Sequence, residues 1–338
     1  MSSEHLVSLE HKPEIIEKVG TPLTFRPDVR VLDCTVRDGG LVTNFSFSDD
    51  MVRALYLALA EAGVDYMEVG YKASKKIFSP EKFGKWKFST EEDIRKVLGD
   101  RPEGPKLSVM ADAERTDYHT DILPKSESVV DLVRIATYVH QLPTALDMIK
   151  DAKDKGYETA INLMAASTVN EHELEEAIGI FADSDVDIIY LVDSFGSFYS
   201  EITRDYVNRY MVHARKGGKK LGIHAHNNQQ LAFSNTIEAL IMGTSYVDTT
   251  VYGLGRGAGN CHTELMLGFL KNPKYHVRPL LKVIDEYVAP LKKSEHWGFD
   301  IPYMLTGQFN VHPQPAIKYI NNPDGTYTDF YDGLMEED

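Results

Sequence analysis

The feature that most constrains this chain is an alternation. From Arg30 onward, short runs rich in β-branched residues take turns with stretches whose apolar residues recur at helical spacing, and the pattern keeps step for about 240 residues. Eight runs read as strands: Arg30 to Val36, Tyr66 to Tyr71, Lys106 to Ala111, Val130 to Tyr138, Glu158 to Met164, Asp187 to Asp193, Leu221 to Asn227 and Tyr246 to Tyr252. Val52, Leu55, Tyr56 and Leu59 after the first run, and Leu174, Ala177, Ile178 and Phe181 after the fifth, each form one apolar stripe that must face a sheet. Ser48 is placed to cap the first of these helices, Asp49 and Asp50 to complement its dipole, and Gly63 to end it. Eight βα units in this length fit a (β/α)8 TIM barrel better than an open sheet. The expected organisation is an N-terminal arm over residues 1–29, which carries Pro13, Pro22 and Pro27, a barrel over 30–271, and a C-terminal helical extension over 272–338 that ends in a frayed acidic run from Met335.

Composition removes whole classes of function. Thirty-six basic against fifty-one acidic residues give a net charge of −15, the wrong sign for a protein that neutralises phosphates, so neither nucleic acid nor an anionic membrane is an expected partner. No apolar run approaches the roughly 20 residues of a spanning helix, and the opening residues lack the apolar core of a signal peptide. The expected location is cytoplasmic. Cys34 and Cys261 form no C-x-x-C pair and read as reduced thiols.

In such a barrel the reactive residues sit at the C-terminal ends of the strands. The seventh run ends His224-Ala225-His226, and side chains two apart on a strand share a face, so both imidazoles can reach one ion. The first run leads into Arg37-Asp38-Gly39-Gly40: a guanidinium, a carboxylate and a flexible glycine pair, near the seventh and eighth strands once the barrel closes. Asp38 can complete a three-ligand site with open positions for water or a chelating substrate, and Arg37 can carry charge that develops on an oxygen; an Arg37–Asp38 rim ion pair is the plainer alternative. The eighth run enters a loop with Gly255, Gly257 and Gly259, suited to bring backbone N–H groups to an anion. Asn260 follows as a carbonyl ligand or a helix cap. Glu68, ending the second run, is placed to orient Arg37 or to lie on the surface.

As a set, these motifs resemble the DRE-TIM metallolyases, the family of 3-hydroxy-3-methylglutaryl-CoA lyase, 4-hydroxy-2-oxovalerate aldolase and the isopropylmalate, citramalate and homocitrate synthases. The resemblance runs from Arg30 to about Lys271 and includes Asp193-Ser194-Phe195-Gly196. It implies that Asp38, His224 and His226, with Asn260, bind a divalent ion (Mn, Mg or Zn), that Arg37 stabilises an enolate, and that Glu68 orients Arg37. The implied reaction is aldolase or lyase chemistry on a 2-oxo acid such as pyruvate with an aldehyde partner. The alternatives are an acyl-CoA-dependent Claisen synthase or a barrel that binds metal and anion without catalysis.

The chain departs from each branch. The aldolases place a catalytic histidine where this sequence has Leu41, the synthases a Glu-Gln pair, and the lyase a cysteine inside the Gly-rich loop, whereas Cys261 follows Asn260. The general base therefore has to come from elsewhere. Tyr303 and His312, in the stretch from Trp297 to Pro313, are the candidates, acting in their own subunit or, in a homo-oligomer, a neighbour's; packing residues are the plainer reading. His119, His140 and His262 lie near loop ends as well.

Overall fold

The computed structural model describes residues 24–100 and 103–336. Most of the expected arm, residues 1–23, and the last two residues of the acidic run lie outside the described residues. Eight parallel strands close into a barrel in sequence order: β1 (Arg30–Asp33), β2 (Tyr66–Tyr71), β3 (Lys106–Asp112), β4 (Leu132–Thr137), β5 (Glu158–Leu163), β6 (Ile188–Asp193), β7 (Lys220–Ala225) and β8 (Tyr246–Thr249). Closure is made by β1 on β8, with Arg30 opposite Tyr246 and Asp33 opposite Thr249. This is the TIM-barrel fold, with helices between the strands.

The apolar stripes do what their spacing requires. Helix α1 (Asp49–Glu61) buries Val52, Leu55, Tyr56 and Leu59, and Ser48 Oγ accepts a hydrogen bond from Met51 N at 3.2 Å as its N-cap. Gly63 turns the chain at φ +77°, and a Cβ there would lie 2.1 Å from Lys274 O, so no other residue fits. Helix α2 (Glu171–Asp183) buries Leu174, Ala177, Ile178 and Phe181, the three larger side chains each worth roughly 1.5–3 kcal/mol of transfer from water.

Three expectations change at the ends of elements. The first strand stops at Asp33, and residues Thr35–Thr43 are helical, so Arg37 and Asp38 sit on a helix that begins just past the strand end. Asp33 enforces this turn by accepting from both Thr35 N and Thr35 Oγ1. The glycine pair is there for close approach, not flexibility: a Cβ on Gly39 would meet Leu254 Cγ at 2.7 Å, and one on Gly40 would meet Phe45 Cδ1 at 2.1 Å. At the other end of the chain, helix Tyr327–Glu336 includes Met335 and Glu336 and is held by buried Leu334 and by Tyr331 against Phe309, so the acidic run is helical rather than frayed there.

The extension lies across one side of the barrel's C-terminal mouth. Trp297 Nε1 and Gly298 N donate to Tyr252 O and Gly257 O in the loop after β8. Asn228 and Gln229, after β7, donate to the carbonyls of Tyr303 and Met304. Asn310 meets Ser197 and Ser167, after β6 and β5. Segment 297–310 thereby straps together four consecutive loops. Among the described residues, no helix is long and apolar enough to cross a membrane.

Candidate active site

At the mouth, six charged or imidazole side chains join head to tail in a closed ring. Arg37 Nε donates to Glu68 Oε2 at 2.7 Å, and the same oxygen accepts from Arg134 Nη1 at 3.1 Å. Arg134 Nη2 donates to Asp248 Oδ2 at 2.5 Å; Asp248 Oδ2 also meets His224 Nδ1 at 2.9 Å. His224 Nε2 lies 3.1 Å from Asp38 Oδ2, and Asp38 returns to Arg37 Nη1 at 3.0 Å. Every member is buried, four of them completely or nearly so. The strands supply the members from different directions: Glu68 from β2, Arg134 from β4, His224 from β7 and Asp248 from β8, with Arg37 and Asp38 from the helix after β1. Charges this deep persist only when each is met by an opposite charge or a hydrogen bond, and the ring meets that condition.

Hydrogen bonds to the two Nδ1 atoms fix which imidazole nitrogens are available. His226 Nδ1 is 2.9 Å from the backbone oxygen of Asp193, which can only accept, so Nδ1 carries the proton and Nε2 presents a lone pair. Asp248 acts on His224 Nδ1 in the same way. Burial lowers the His226 pKa to about 3 and keeps this ring neutral. For His224 burial works in the same direction, yet the bonds to Asp248 and Asp38 raise its pKa. Burial opposes the Asp38 charge too, but Arg37 and the two imidazoles hold this carboxyl well below its ordinary range.

The consequence is a set of lone pairs facing one another. Asp38 Oδ2 lies 3.1 Å from His224 Nε2 and 3.7 Å from His226 Nε2, and one ligand atom from each residue falls within 4.8 Å of the others. With both Nδ1 atoms protonated, a carboxylate oxygen and two imidazole nitrogens converge without a hydrogen between them, which calls for a cation. Asn260 pairs with His226 across an isolated bridge, and both polar atoms of its buried amide lack a hydrogen-bond partner among the described residues. The donor set of carboxylate, two neutral imidazoles and an amide oxygen therefore fits a divalent ion.

The site opens into a cavity of about 340 Å³, at the small end of the range for ligand pockets. Arg37, His224 and His226 form part of its wall, with Leu41 at the rim, Asn162 on β5 and Met164 just after it. From the Gly-rich loop it is Arg256, not a glycine, that reaches the cavity. That loop does bring a backbone N–H to an anion, but the anion is the protein's own: Arg256 N donates to Asp38 Oδ1 at 3.3 Å. The glycines serve packing. A Cβ on Gly255 would lie 2.0 Å from Asn260 Nδ2 and one on Gly259 2.1 Å from Gly253 O, while Gly257, at φ +63°, faces the Tyr303 ring.

The two candidate bases part company. His312 lines the cavity, with Nε2 3.4 Å from Arg256 Nη1, and burial together with Arg256 lowers its pKa to about 4. Tyr303 packs against Ala258 and Ala316 away from the cavity wall, and burial raises its pKa to about 12. Of the other loop histidines, His119 contacts Asp151, His140 stacks on Tyr138, and His262 abuts Gly253; none lines the cavity.

Sequence reasoning missed Arg134 and Asp248. Their signal was present: Arg134 interrupts the apolar run Leu132-Val133-Arg134-Ile135, and Asp248 sits inside Val247-Asp248-Thr249. A charge at the centre of a barrel strand points to a partnered interior, and the Arg134 guanidinium also stacks over Tyr190 at 4.3 Å.

Comparison with known proteins agrees with this geometry. The family model described as HMGL-like matches residues 28–285. The chain belongs to the HMGL-like family. Among curated proteins, it is similar to an oxaloacetate decarboxylase of Mycobacterium tuberculosis, 32% identical over 247 residues that cover 71% of this chain and 69% of the other. It is also similar to a 4-hydroxy-2-oxovalerate aldolase of Pelotomaculum thermopropionicum, 30% identical over 263 residues, 77% and 75% of the two chains. Among solved structures, the N-terminal domain of a candidate aldolase from Bacteroides vulgatus superposes with a TM-score of 0.73 at 28% identity, covering 87% of this chain and 97% of that one. The HMG-CoA lyase of Brucella melitensis matches at 0.64 and 15% identity, over 78% and 99%, a likeness of fold alone. The HMGL-like chain described here is thus a carbon–carbon lyase of the metal-dependent DRE-TIM type.

Proposed function

We propose that this enzyme makes or cleaves a carbon–carbon bond next to the carbonyl of a 2-oxo acid such as pyruvate, by way of an enolate, with an aldehyde as second reactant. The observation that carries the reading is the convergence of Asp38, His224 and His226 beside Arg37 at the floor of a small cavity. Asp38, His224, His226 and Asn260 would hold Mn, Mg or Zn, and the ion, when bound, would chelate the 2-oxo acid and lower the energy of negative charge on its keto oxygen. Arg37 supplies a second centre of positive charge. Its guanidinium is fixed by Glu68 and Asp38 before substrate arrives, so it needs no reorganisation as charge develops. Glu68 acts by position, holding the fork of Arg37 while Arg134 holds Glu68.

Enolate formation requires a proton to leave the carbon next to the keto group. With Leu41 in place of the family histidine, His312 is the group we assign to this proton: it lines the cavity and its lowered pKa keeps it neutral at pH 7. The cavity's size favours a small oxo acid and a small aldehyde over an acyl-CoA. The same reading places the enzyme in the cytoplasm, in keeping with two buried free thiols, Cys34 and Cys261.

The test is metal-dependent exchange of the pyruvate methyl hydrogens with deuterated water, followed by NMR. Exchange that needs a divalent ion and fails in Asp38→Asn supports the reading. Absence of exchange with Mn, Mg and Zn alike overturns it.

A further inference from the structure

On the β2 and β3 side of the cavity, a buried cation stands without an acceptor. Lys87 ends the short turn Lys85–Lys87 that follows β2, and it is 5% exposed. Its Nζ lies 4.2 Å from the ring centroid of Tyr71, 4.3 Å from that of Phe78 and 4.9 Å from that of Phe45. These rings offer the ammonium a diffuse negative face but no lone pair, and among the described residues Nζ makes no hydrogen bond and no ion pair. Lys72, just as buried, shows the ordinary solution: it donates to Ser89 O at 2.7 Å and lies 3.7 Å from Glu91 Oε1. Lys87 lines the cavity instead, together with Asp112 and Arg115. Arg115 is exposed at the rim, and its guanidinium likewise has no hydrogen bond or ion pair among the described residues.

An ammonium walled by three aromatic rings, facing the cavity and meeting no protein acceptor, fits a site whose remaining partner arrives with the ligand. Position says where that partner sits. In a ring of eight strands β3, which leads to Asp112 and Arg115, stands opposite β7, and Lys87 from the loop after β2 lines the same cavity as His224 and His226. Charge says what it is: two cations against the one carboxylate of Asp112 leave a single net positive charge, which one carboxylate neutralises. We infer that Lys87, with Arg115, forms a subsite for a second carboxylate, so that the substrate is a dicarboxylic hydroxy-oxo acid, cleaved to a 2-oxo acid and an aldehyde that itself bears a carboxylate. This rests on the proposed function and names its substrate class. The aromatic walls make the contact strong by keeping water from it.

The experiment compares two substrates that differ at one position, 4-hydroxy-2-oxopentanoate with a methyl group and 4-hydroxy-2-oxoglutarate with a carboxylate, on the metal-loaded full chain. The wild-type enzyme is expected to prefer the carboxylate compound by about 100-fold in kcat/KM, the magnitude of a charge-assisted hydrogen bond lost. Lys87→Met is expected to remove most of that preference and Lys87→Arg to restore part of it; Arg115→Gln, at the exposed rim, is expected to reduce it about 10-fold or less. The readout is the ratio of the two kcat/KM values, which misfolding or metal loss would not change. An equal wild-type rate on both substrates, or a ratio unmoved by both Lys87→Met and Arg115→Gln, overturns the subsite. So does a preference for condensing pyruvate with glyceraldehyde 3-phosphate over glyoxylate, which would make the second anion a phosphate. If wild-type enzyme also fails to exchange pyruvate hydrogens, the proposed function falls with it; if exchange proceeds, only the subsite does.

Discussion

Two regions of the mouth treat buried charge in opposite ways. Six groups from Arg37 to Asp248, supplied from around the barrel, close a ring in which each charge meets an opposite one, whereas Lys87, just after β2, sits among aromatic rings with no acceptor. The ring is complete before any substrate arrives and behaves as scaffold; its task is to hold Arg37 and aim Nε2 of His224. The unpaired lysine is incomplete without a ligand. A network in which every charge is paired confers rigidity, an unpaired cation selectivity, and this cavity holds one of each.

Breaking the ring at its metal end should have the largest effect. Asp38→Asn removes the charge that brings two imidazoles and a cation together, and bound divalent metal, measured by elemental analysis after dialysis, is expected to drop to background, with pyruvate exchange lost at least ~10³-fold. Breaking the ring where no substrate comes near separates scaffold from chemistry. Arg134→Met leaves Asp248 buried without its guanidinium and Glu68 with Arg37 as its remaining cation, and chemical denaturation is expected to show a loss of about 3–5 kcal/mol. A fall in turnover at undiminished stability would instead place Arg134 in direct contact with substrate.

Next in size is Arg37→Lys, which keeps the charge but loses the planar fork shared between Glu68 and Asp38. Turnover is expected to fall roughly 10²- to 10³-fold with little change in KM. A rise in KM alone would make Arg37 a simple anchor, closer in kind to Lys87. The smallest effect concerns His312. Its pKa lies below the ordinary 6.5 of histidine, at about 4, so the folded chain takes up this proton less readily than the unfolded one. Stability associated with the neutral ring is present above pH 6.5 and is lost as pH falls toward 4. The unfolding temperature of His312→Asn should therefore gain on the wild type across that window and run parallel to it above pH 7; a gap of constant size throughout would show that the imidazole does not titrate there.

The barrel was readable because its signal is repeated eight times, and an error in one strand leaves seven to correct it. The metal ligands were readable because His224 and His226 lie two apart on one strand, where alternation alone gives them a common face. Arg134 and Asp248 were not, because they are 114 residues apart in sequence and only barrel closure makes them partners. The glycine pair after Asp38 misled in a different way. Glycine reports either freedom or crowding, and only the neighbouring Phe45 and Leu254 show that here it is crowding. Lys87 carried no local mark at all, since its aromatic neighbours come from three separate segments.

Barrel closure by β1 on β8 has a consequence for the history of each molecule. Asp38 and Arg256, which meet through a backbone hydrogen bond, are 218 residues apart along the chain, so the first half of the site is synthesised long before the second. Domains generally fold as units once enough of their sequence has emerged, and long-range pairings form slowly. His224 and His226 arrive with β7, about 190 residues after Arg37 and Asp38, and Asp248 and Arg256 later still, so the ring of charges is assembled only as the last strands dock and close the barrel on β1.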